Sequence, residues 1–285
     1  MNTASIETPS GKWVRDENFP VASFLLSGVY RPHIRAFYAF ARTADDVADS
    51  SMLSLSEKLE RLQALESTLL GKNENQIPEC GYLLRKSLRH CGVTERHALD
   101  LLSAFRQDVS KNRYRDWEDL LDYCGRSAAP VGRFLLDLHA EDQSLYALSD
   151  PLCMALQILN HIQDCGSDHR HLDRVYLPMG WFAKEGISLE ALSQPTTSSG
   201  LRSVLRRALD GVEELLLQAQ SLPLQLKDSR LALESGVVLA TARRLSRCLA
   251  KQDPLLRHVR LSHAAFIWAG LAGLGSVLRG RFISK

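Results

Sequence analysis

The chain has 285 residues, of which 45% are hydrophobic and 24% are charged, and its 35 basic residues nearly balance 33 acidic ones. This composition is typical of a soluble globular protein that can bury a sizeable core. A formal charge of +2 argues against the strongly basic surface of an electrostatic nucleic-acid-binding protein, so we expect no nucleic-acid partner.

The cysteines and the N-terminal residues predict the cellular compartment of the protein. The six cysteines are scattered without CxxC spacing, and the N-terminal residues do not have the pattern of a signal peptide. Both features predict reduced thiols and a cytoplasmic protein. Residues 1–12 are polar and are expected to be flexible.

The first informative element is a helix predicted over residues 38–49, which contain neither glycine nor proline. Asp45 and Asp49 are one turn apart and therefore share a face, and Tyr38 and Arg42 precede them on the same stripe. Two carboxylates this close repel each other unless a cation lies between them, and Mg²⁺ prefers such oxygen ligands. The alternative is a solvated helix face on which Arg42 makes ordinary intrahelical ion pairs.

Helical spacing of apolar residues continues along the rest of the chain. It predicts helices at 53–70, 82–91, 94–109, 117–123, 131–138, 151–164, 201–222, 229–249 and 254–278. Pro130 is expected to kink or restart a helix, and Pro151 to occupy the first turn of the next one. Residues 165–178 are expected to be irregular. Because no strand pair or repeat is evident, we predict one all-α domain over residues 1–285.

A second polar stripe interrupts the apolar helix predicted to begin at Pro151. Gln157, Asn160, Asp164 and Asp168 recur every three or four residues, so they lie along one face. Four oxygen-bearing side chains in register suit a shared divalent cation, whereas a single buried amide would more simply bond to a neighbouring helix. Helical bundles often build metal sites from carboxylates on facing helices, so the two stripes are expected to meet across a cavity.

The C-terminal stretch 264–278 is apolar and is bordered by arginines, but it is shorter than the roughly 20 residues that a membrane span needs. Two interpretations stay open. The stretch is either a buried terminal helix of the bundle or a peripheral contact with a membrane.

The two stripes together resemble the paired aspartate motifs of the squalene and phytoene synthases, which join or rearrange isoprenoid diphosphates. Three further blocks agree with that family: residues 105–114 (FRQDVSKNRY), 123–132 (YCGRSAAPVG) and 174–178 (RVYLP). The resemblance spans roughly residues 17–250. Gly125 and Ala129 depart from the arginine and asparagine usual in the second block.

The resemblance implies a single-domain isoprenoid-synthase helical bundle around a central apolar cavity. It implies Mg²⁺ ligands at Asp45, Asp46, Asp49, Asn160, Asp164 and Asp168. It implies catalytic roles for Tyr38, Arg42 and Tyr123, and substrate contacts from Phe19, Arg42, Lys111, Arg113, Gln157 and Arg174. Phe19, Phe37, Tyr38, Val131 and Leu159 are candidates to line the cavity, with ordinary core packing as the alternative.

Within the family, residues 17–23 (ENFPVAS) most resemble a bacterial branch of hopanoid biosynthesis that converts presqualene diphosphate into hydroxysqualene. This resemblance implies an isoprenoid diphosphate substrate, no need for NADPH, and association with a presqualene diphosphate synthase, in the cytoplasm or at the inner membrane. The alternatives are synthesis of presqualene diphosphate from two farnesyl diphosphates, or of squalene, dehydrosqualene or phytoene. A non-catalytic assembly protein of the same fold is the alternative from another class.

Overall fold

The structure is a computed structural model that describes residues 25–72 and 78–283. Phe19 and the N-terminal segment predicted to be flexible lie outside these residues. Twelve α-helices occur in the described part, joined by turns and short 3₁₀ segments. They are α1 (Arg31–Asp49), α2 (Leu55–Leu70), α3 (Glu79–Cys91), α4 (Arg96–Asp108), α5 (Trp117–Ser127), α6 (Ala129–Leu138), α7 (Tyr146–Leu172), α8 (Met179–Lys184), α9 (Ser199–Gln218), α10 (Leu222–Gln225), α11 (Ser229–Leu249) and α12 (His263–Ile283).

The all-α prediction is confirmed. Across the described ranges, β pairing is limited to an isolated bridge between Arg113 and Val175. Local sequence explains several boundaries. Ser54 and Glu57 form a capping box that starts α2, and Gly71 ends it with φ +72°, a left-handed conformation that favours glycine. The expected break at Pro130 is also present, because α5 ends at Ser127 and α6 restarts with Pro130 in its first turn.

Helix α7 is longer than predicted at both ends. Pro151 lies inside the helix instead of in its first turn, because the helix already begins at Tyr146. The C-terminal limit at Asp164 is also wrong, since the helix continues two further turns to Leu172. Gly166 does not stop the helix but lets it pack closely, because a Cβ there would lie 2.7 Å from Leu255 Cδ2. The extension places Asp168 on the same helix as Gln157.

Two groups of helices surround the centre of the molecule. Helix α1 packs on α2, α3 and α4, whereas α7 packs on α5, α6, α9 and α11. Apolar side chains such as Phe40, Leu62 and Ile158 are fully buried in the resulting core. This arrangement brings the two acidic stripes to one cavity from two separate helical layers.

The last helix matches neither interpretation of the C-terminal stretch in full, because one side of it is buried and the other is exposed. Residues 254–262 are not helical, and α12 begins only at His263. The side of α12 that carries Ala269 and Val277 is buried, whereas Trp268 on the other side is 72% exposed. Among the helices of residues 25–72 and 78–283, none is both long enough and apolar enough to cross a membrane.

Candidate active site

The two acidic stripes line one pocket of about 580 Å³, here called the polar pocket. Ten of the residues predicted for the site contribute to its wall: Tyr38, Arg42, Asp45, Asp49, Tyr123, Gln157, Asn160, Asp164, Asp168 and Arg174. They come from α1, α5, α7 and the segment that follows α7. The predicted meeting of the two stripes across a cavity is therefore confirmed by their placement.

On α1, the carboxylates are crowded together. Arg42 donates to Asp45 at 3.1 Å and pairs with Asp46 at 2.9 Å. The Asp45 side chain lies in the concave wall of the pocket, with protein on most sides and 36% of its surface accessible. This burial, together with the nearby charge of Asp49, raises the pKa of Asp45 to about 8 in the absence of a cation. A positive charge beside Asp45, in addition to that of Arg42, would therefore favour its ionised form.

A buried network fixes the other acid of this stripe. Arg174 donates to Asp49 at 2.8 Å and to the Tyr176 hydroxyl at 3.0 Å, and its guanidinium also donates to the carbonyl of Asp108 at 3.0 Å. Tyr123 donates to the Asp108 carboxylate at 2.7 Å. Burial raises the pKa of Asp108 to about 6, while Arg174 opposes that rise. The network orients Asp49 within the pocket wall.

On α7, the stripe faces the non-helical segment before α12. Asp164 lies 3.2 Å from the His258 ring, and His258 and Arg260 also line the pocket. Gln157, Asn160, Asp164 and Asp168 together present amide and carboxylate oxygens along one face. This oxygen-rich face is suited to hard divalent cations.

A second pocket, of about 270 Å³, adjoins the first and is here called the apolar pocket. Its wall is almost entirely hydrocarbon, with Glu234 as its one acidic residue within the described ranges. Tyr38, Ala41 and Val131 line both pockets and therefore form their junction. Phe37, Tyr38 and Val131 are confirmed as lining residues. Leu159 is not one of them, because it is fully buried in the core.

Several predicted site residues lie elsewhere. Asp46 does not line the polar pocket and is held by Arg42. Lys111 is bound to Asp119 at 2.5 Å, and Arg113 binds both the carboxylate and the carbonyl of Asp173. These two cations tie the segment after α4 to its neighbours and do not line the polar pocket, so their contact with substrate phosphates stays a prediction.

The structure adds pocket residues that were not predicted from the sequence. Tyr176, His258 and Arg260 line the polar pocket, and so does His161, which falls off the stripe by spacing because it directly follows Asn160. Burial lowers the pKa of His161 to about 3, and its ring stacks on Tyr176 with 3.5 Å between centroids. His161 is therefore neutral. Only the block 174–178 offered a signal, for Tyr176; the rest depend on tertiary packing.

The polar pocket offers oxygen donors that could hold a divalent cation. Within residues 25–72 and 78–283, no three acidic, histidine or cysteine side chains are close enough to form a ready-made metal site. Each stripe nevertheless offers two carboxylates to the pocket, and Asn160 adds an amide oxygen. Mg²⁺ is commonly held by one or two carboxylates together with substrate phosphates, so this arrangement fits a metal that binds with a diphosphate.

Comparisons with known proteins agree with this geometry. A family model described as squalene/phytoene synthase matches residues 14–265. Hydroxysqualene synthase from Rhodopseudomonas palustris is 45% identical over 99% of this chain and 96% of its own length. The hydroxysqualene synthase from Zymomonas mobilis is 43% identical over 100% of this chain and 94% of its own length.

Solved structures give the same fold. The crystal structure of a squalene synthase from Alicyclobacillus acidocaldarius is 28% identical, with a TM-score of 0.71 over 81% of this chain and 87% of that one. A dehydrosqualene synthase in complex with a ligand has a TM-score of 0.77 over 93% of this chain and 94% of that one. At 20% identity, the second likeness supports the fold alone.

Proposed function

Because this chain belongs to the squalene/phytoene synthase family, we propose that it converts presqualene diphosphate into hydroxysqualene, with loss of diphosphate and capture of water. The observation that carries the proposal is the polar pocket with two acidic stripes, joined through Tyr38, Ala41 and Val131 to an apolar pocket. A substrate with a charged head and hydrocarbon arms matches such a pair of pockets. The identity of 42–45% to three hydroxysqualene synthases supports this product within the family.

We propose that Asp45 and Asp49 from α1, and Asn160, Asp164 and Asp168 from α7, hold Mg²⁺ together with the substrate diphosphate. Bound Mg²⁺ would neutralise charge on the leaving group and so favour ionisation of its C–O bond. Arg42 lies beside Asp45 and can contribute charge-assisted hydrogen bonds to phosphate oxygens. Arg174 acts through Asp49, which it orients, and Gln157 supplies a further polar contact from the pocket wall.

The remaining residues govern the carbocation after ionisation. Hydrocarbon side chains of the apolar pocket exclude bulk water from the rearranging carbons. Aromatic rings of Tyr123, Tyr176 and His161 face one another at the inner wall of the polar pocket. The water oxygen forms the new C–O bond, and its surplus proton passes to the released diphosphate. Tyr38 lies at the junction, where the charged head and the hydrocarbon arms meet.

We also propose a wider setting for this reaction. The chain, residues 1–285, acts as one isoprenoid synthase domain in hopanoid biosynthesis. It receives its poorly soluble substrate from a presqualene diphosphate synthase, either in the cytoplasm or at the inner membrane. At the membrane, the protein makes a peripheral contact with the lipid surface. NADPH is not required if the product is an alcohol.

The test is a product assay on the purified full chain. Presqualene diphosphate alone should give hydroxysqualene in the presence of Mg²⁺, and EDTA should abolish the product. Adding NADPH should not change the product, and farnesyl diphosphate alone should not be consumed. Formation of presqualene diphosphate from farnesyl diphosphate, or of squalene with NADPH, would replace the proposed activity. Absence of turnover with either substrate would favour an assembly protein.

A further inference from the structure

The outer face of α12 exposes a group of large apolar side chains. Ile267, Trp268, Leu271 and Leu278 are 59%, 72%, 54% and 50% exposed. Their spacing places them on one side of the helix, opposite Ala269 and Val277, which are buried. Single exposed apolar residues are common on soluble proteins, but a continuous face without a charge from 264 to 278 needs a partner.

Positive charge surrounds this face. Residues 254–281 contain Arg257, Arg260, Arg279 and Arg281 but no aspartate or glutamate. Along one side, Arg243, Arg244 and Arg247 of α11 line a groove of about 670 Å³ that Trp268 also lines. The apolar face therefore has a basic border at both ends of α12 and along α11.

We propose that this face, defined by Ile267, Trp268, Leu271 and Leu278, docks on a lipid bilayer that carries anionic headgroups. An amphipathic helix with basic flanks lies in the membrane interface, where apolar side chains enter the acyl boundary and arginines pair with phosphates. A second copy of this chain is a poorer partner, because the face would bring one basic border against another. The anionic surface supplies the missing negative charge.

The docking surface lies close to the proposed chemistry. Helix α12 packs on α11, where a Cβ at Gly273 would lie 2.4 Å from the carbonyl oxygen of Gly236. The opposite side of α11 contributes Leu231, Ser235 and Val238 to the apolar pocket. One helix therefore separates the docked surface from the pocket proposed for hydrocarbon. The inference deepens the peripheral contact proposed above, but vesicle binding can be measured without any substrate.

The experiment is co-sedimentation of the full chain with vesicles of phosphatidylglycerol and phosphatidylcholine, and with vesicles of phosphatidylcholine alone. The wild type should bind the anionic vesicles, and less so at high salt. Trp268→Gln combined with Leu271→Gln should weaken binding at least about 10-fold, since two apolar side chains no longer enter the bilayer. The matched control is Tyr82→Gln combined with Leu217→Gln, which changes residues that are 50% and 56% exposed elsewhere.

Brominated lipids provide a second measurement. They should quench the tryptophan emission of the wild type more than that of Trp268→Phe, because Trp268 is the residue placed in the bilayer. Failure of the wild type to bind anionic vesicles would overturn the proposal. Equal weakening in the Tyr82 and Leu217 control, or a wild-type dimer in solution that becomes a monomer on changing Trp268 and Leu271, would also overturn it.

Discussion

The polar and apolar pockets are neighbours with opposite chemistry. In the polar pocket, charged groups are held by specific partners, as Asp49 is by Arg174 and Asp45 by Arg42. The apolar pocket is enclosed by packed rings and aliphatic side chains, such as Phe37 stacked on Phe134 with 4.1 Å between centroids. Tyr38, Ala41 and Val131 belong to both walls.

The difference shows how one molecule of substrate can be divided between two environments. Ionisation of a diphosphate needs fixed charge and oxygen ligands, which only the polar pocket supplies. Rearrangement of a carbocation needs walls that do not react with it, which the apolar pocket supplies. Changes to the first pocket should therefore affect ionisation, and changes to the second should affect accommodation of the hydrocarbon.

The largest effect is expected from the acidic stripes. Asp45→Asn and Asp164→Asn should each lower kcat on the order of 10³-fold, because each removes a charged ligand while keeping the shape of the side chain. Circular dichroism should stay unchanged. The matched control is Asp46→Asn on the same helix, which should lose only a few-fold because Asp46 lies outside the pocket wall. An Asp46 variant as inactive as the Asp45 variant would contradict the placement of Asp46 outside the pocket wall.

A substitution at the junction tests whether the two pockets have separate roles. Ala41→Phe should fill the passage, so that turnover falls on the order of 10²-fold through displacement of the hydrocarbon. Binding of inorganic diphosphate with Mg²⁺, measured by calorimetry, should stay within about 2-fold because the ligands are untouched. Ala41→Ser, which barely changes the volume, serves as the control. Equal loss of diphosphate binding and turnover would show that the pockets do not act separately.

The buried network should matter for stability as well as turnover. Arg174→Met would leave Asp49 and Asp108 without their shared cation and should lower the free energy of unfolding by about 3 kcal/mol. Thermal unfolding measures this loss. Adding Asp108→Asn to Arg174→Met should recover part of it, because one uncompensated charge is removed. No recovery in the double variant would argue that Arg174 contributes packing instead of charge.

The smallest effect is expected in the wall of the apolar pocket. A Cβ at Gly132 would lie 2.3 Å from Ser149 Oγ and 2.7 Å from Cys153 Sγ. Gly132→Ala should therefore lower the free energy of unfolding by about 1 kcal/mol more in the wild type than in a Ser149→Ala background. A double-mutant cycle of unfolding measures this difference. A coupling energy near zero would show that the neighbouring side chains move aside freely.

Eight residues of the polar pocket could be predicted from the sequence because they follow helical spacing. Four residues of α1 and four of α7 were identified by i, i+3 and i+4 intervals, and each helix presents them to the same space. Lys111 and Arg113 show the limit of that reasoning. They stand in a block typical of the family, but tertiary contacts with Asp119 and Asp173 decide where their charges lie.

The extent of α7 and the environment of α12 also depend on tertiary contacts and could not be predicted from the sequence. The sequence predicts a helix that ends at Asp164, but the helix continues to Leu172, with Gly166 packed closely against Leu255. The apolar stretch 264–278 allows either a buried helix or a peripheral membrane contact, and in the structure Ala269 and Val277 are buried whereas Trp268 is exposed. Both outcomes depend on which neighbour a helix meets, and local propensity does not carry that information.

The central claim, that the two acidic stripes act as one cation clamp on a diphosphate, is tested most directly by calorimetric titration with inorganic diphosphate. The wild type should bind it in the presence of Mg²⁺ and lose binding in EDTA. Asp45→Asn and Asp164→Asn should each weaken Mg²⁺-dependent binding at least about 10-fold, and the double variant should be little worse than either, since the two stripes share one ligand. Binding that is equally tight in EDTA, or that survives loss of either stripe, would contradict the claim.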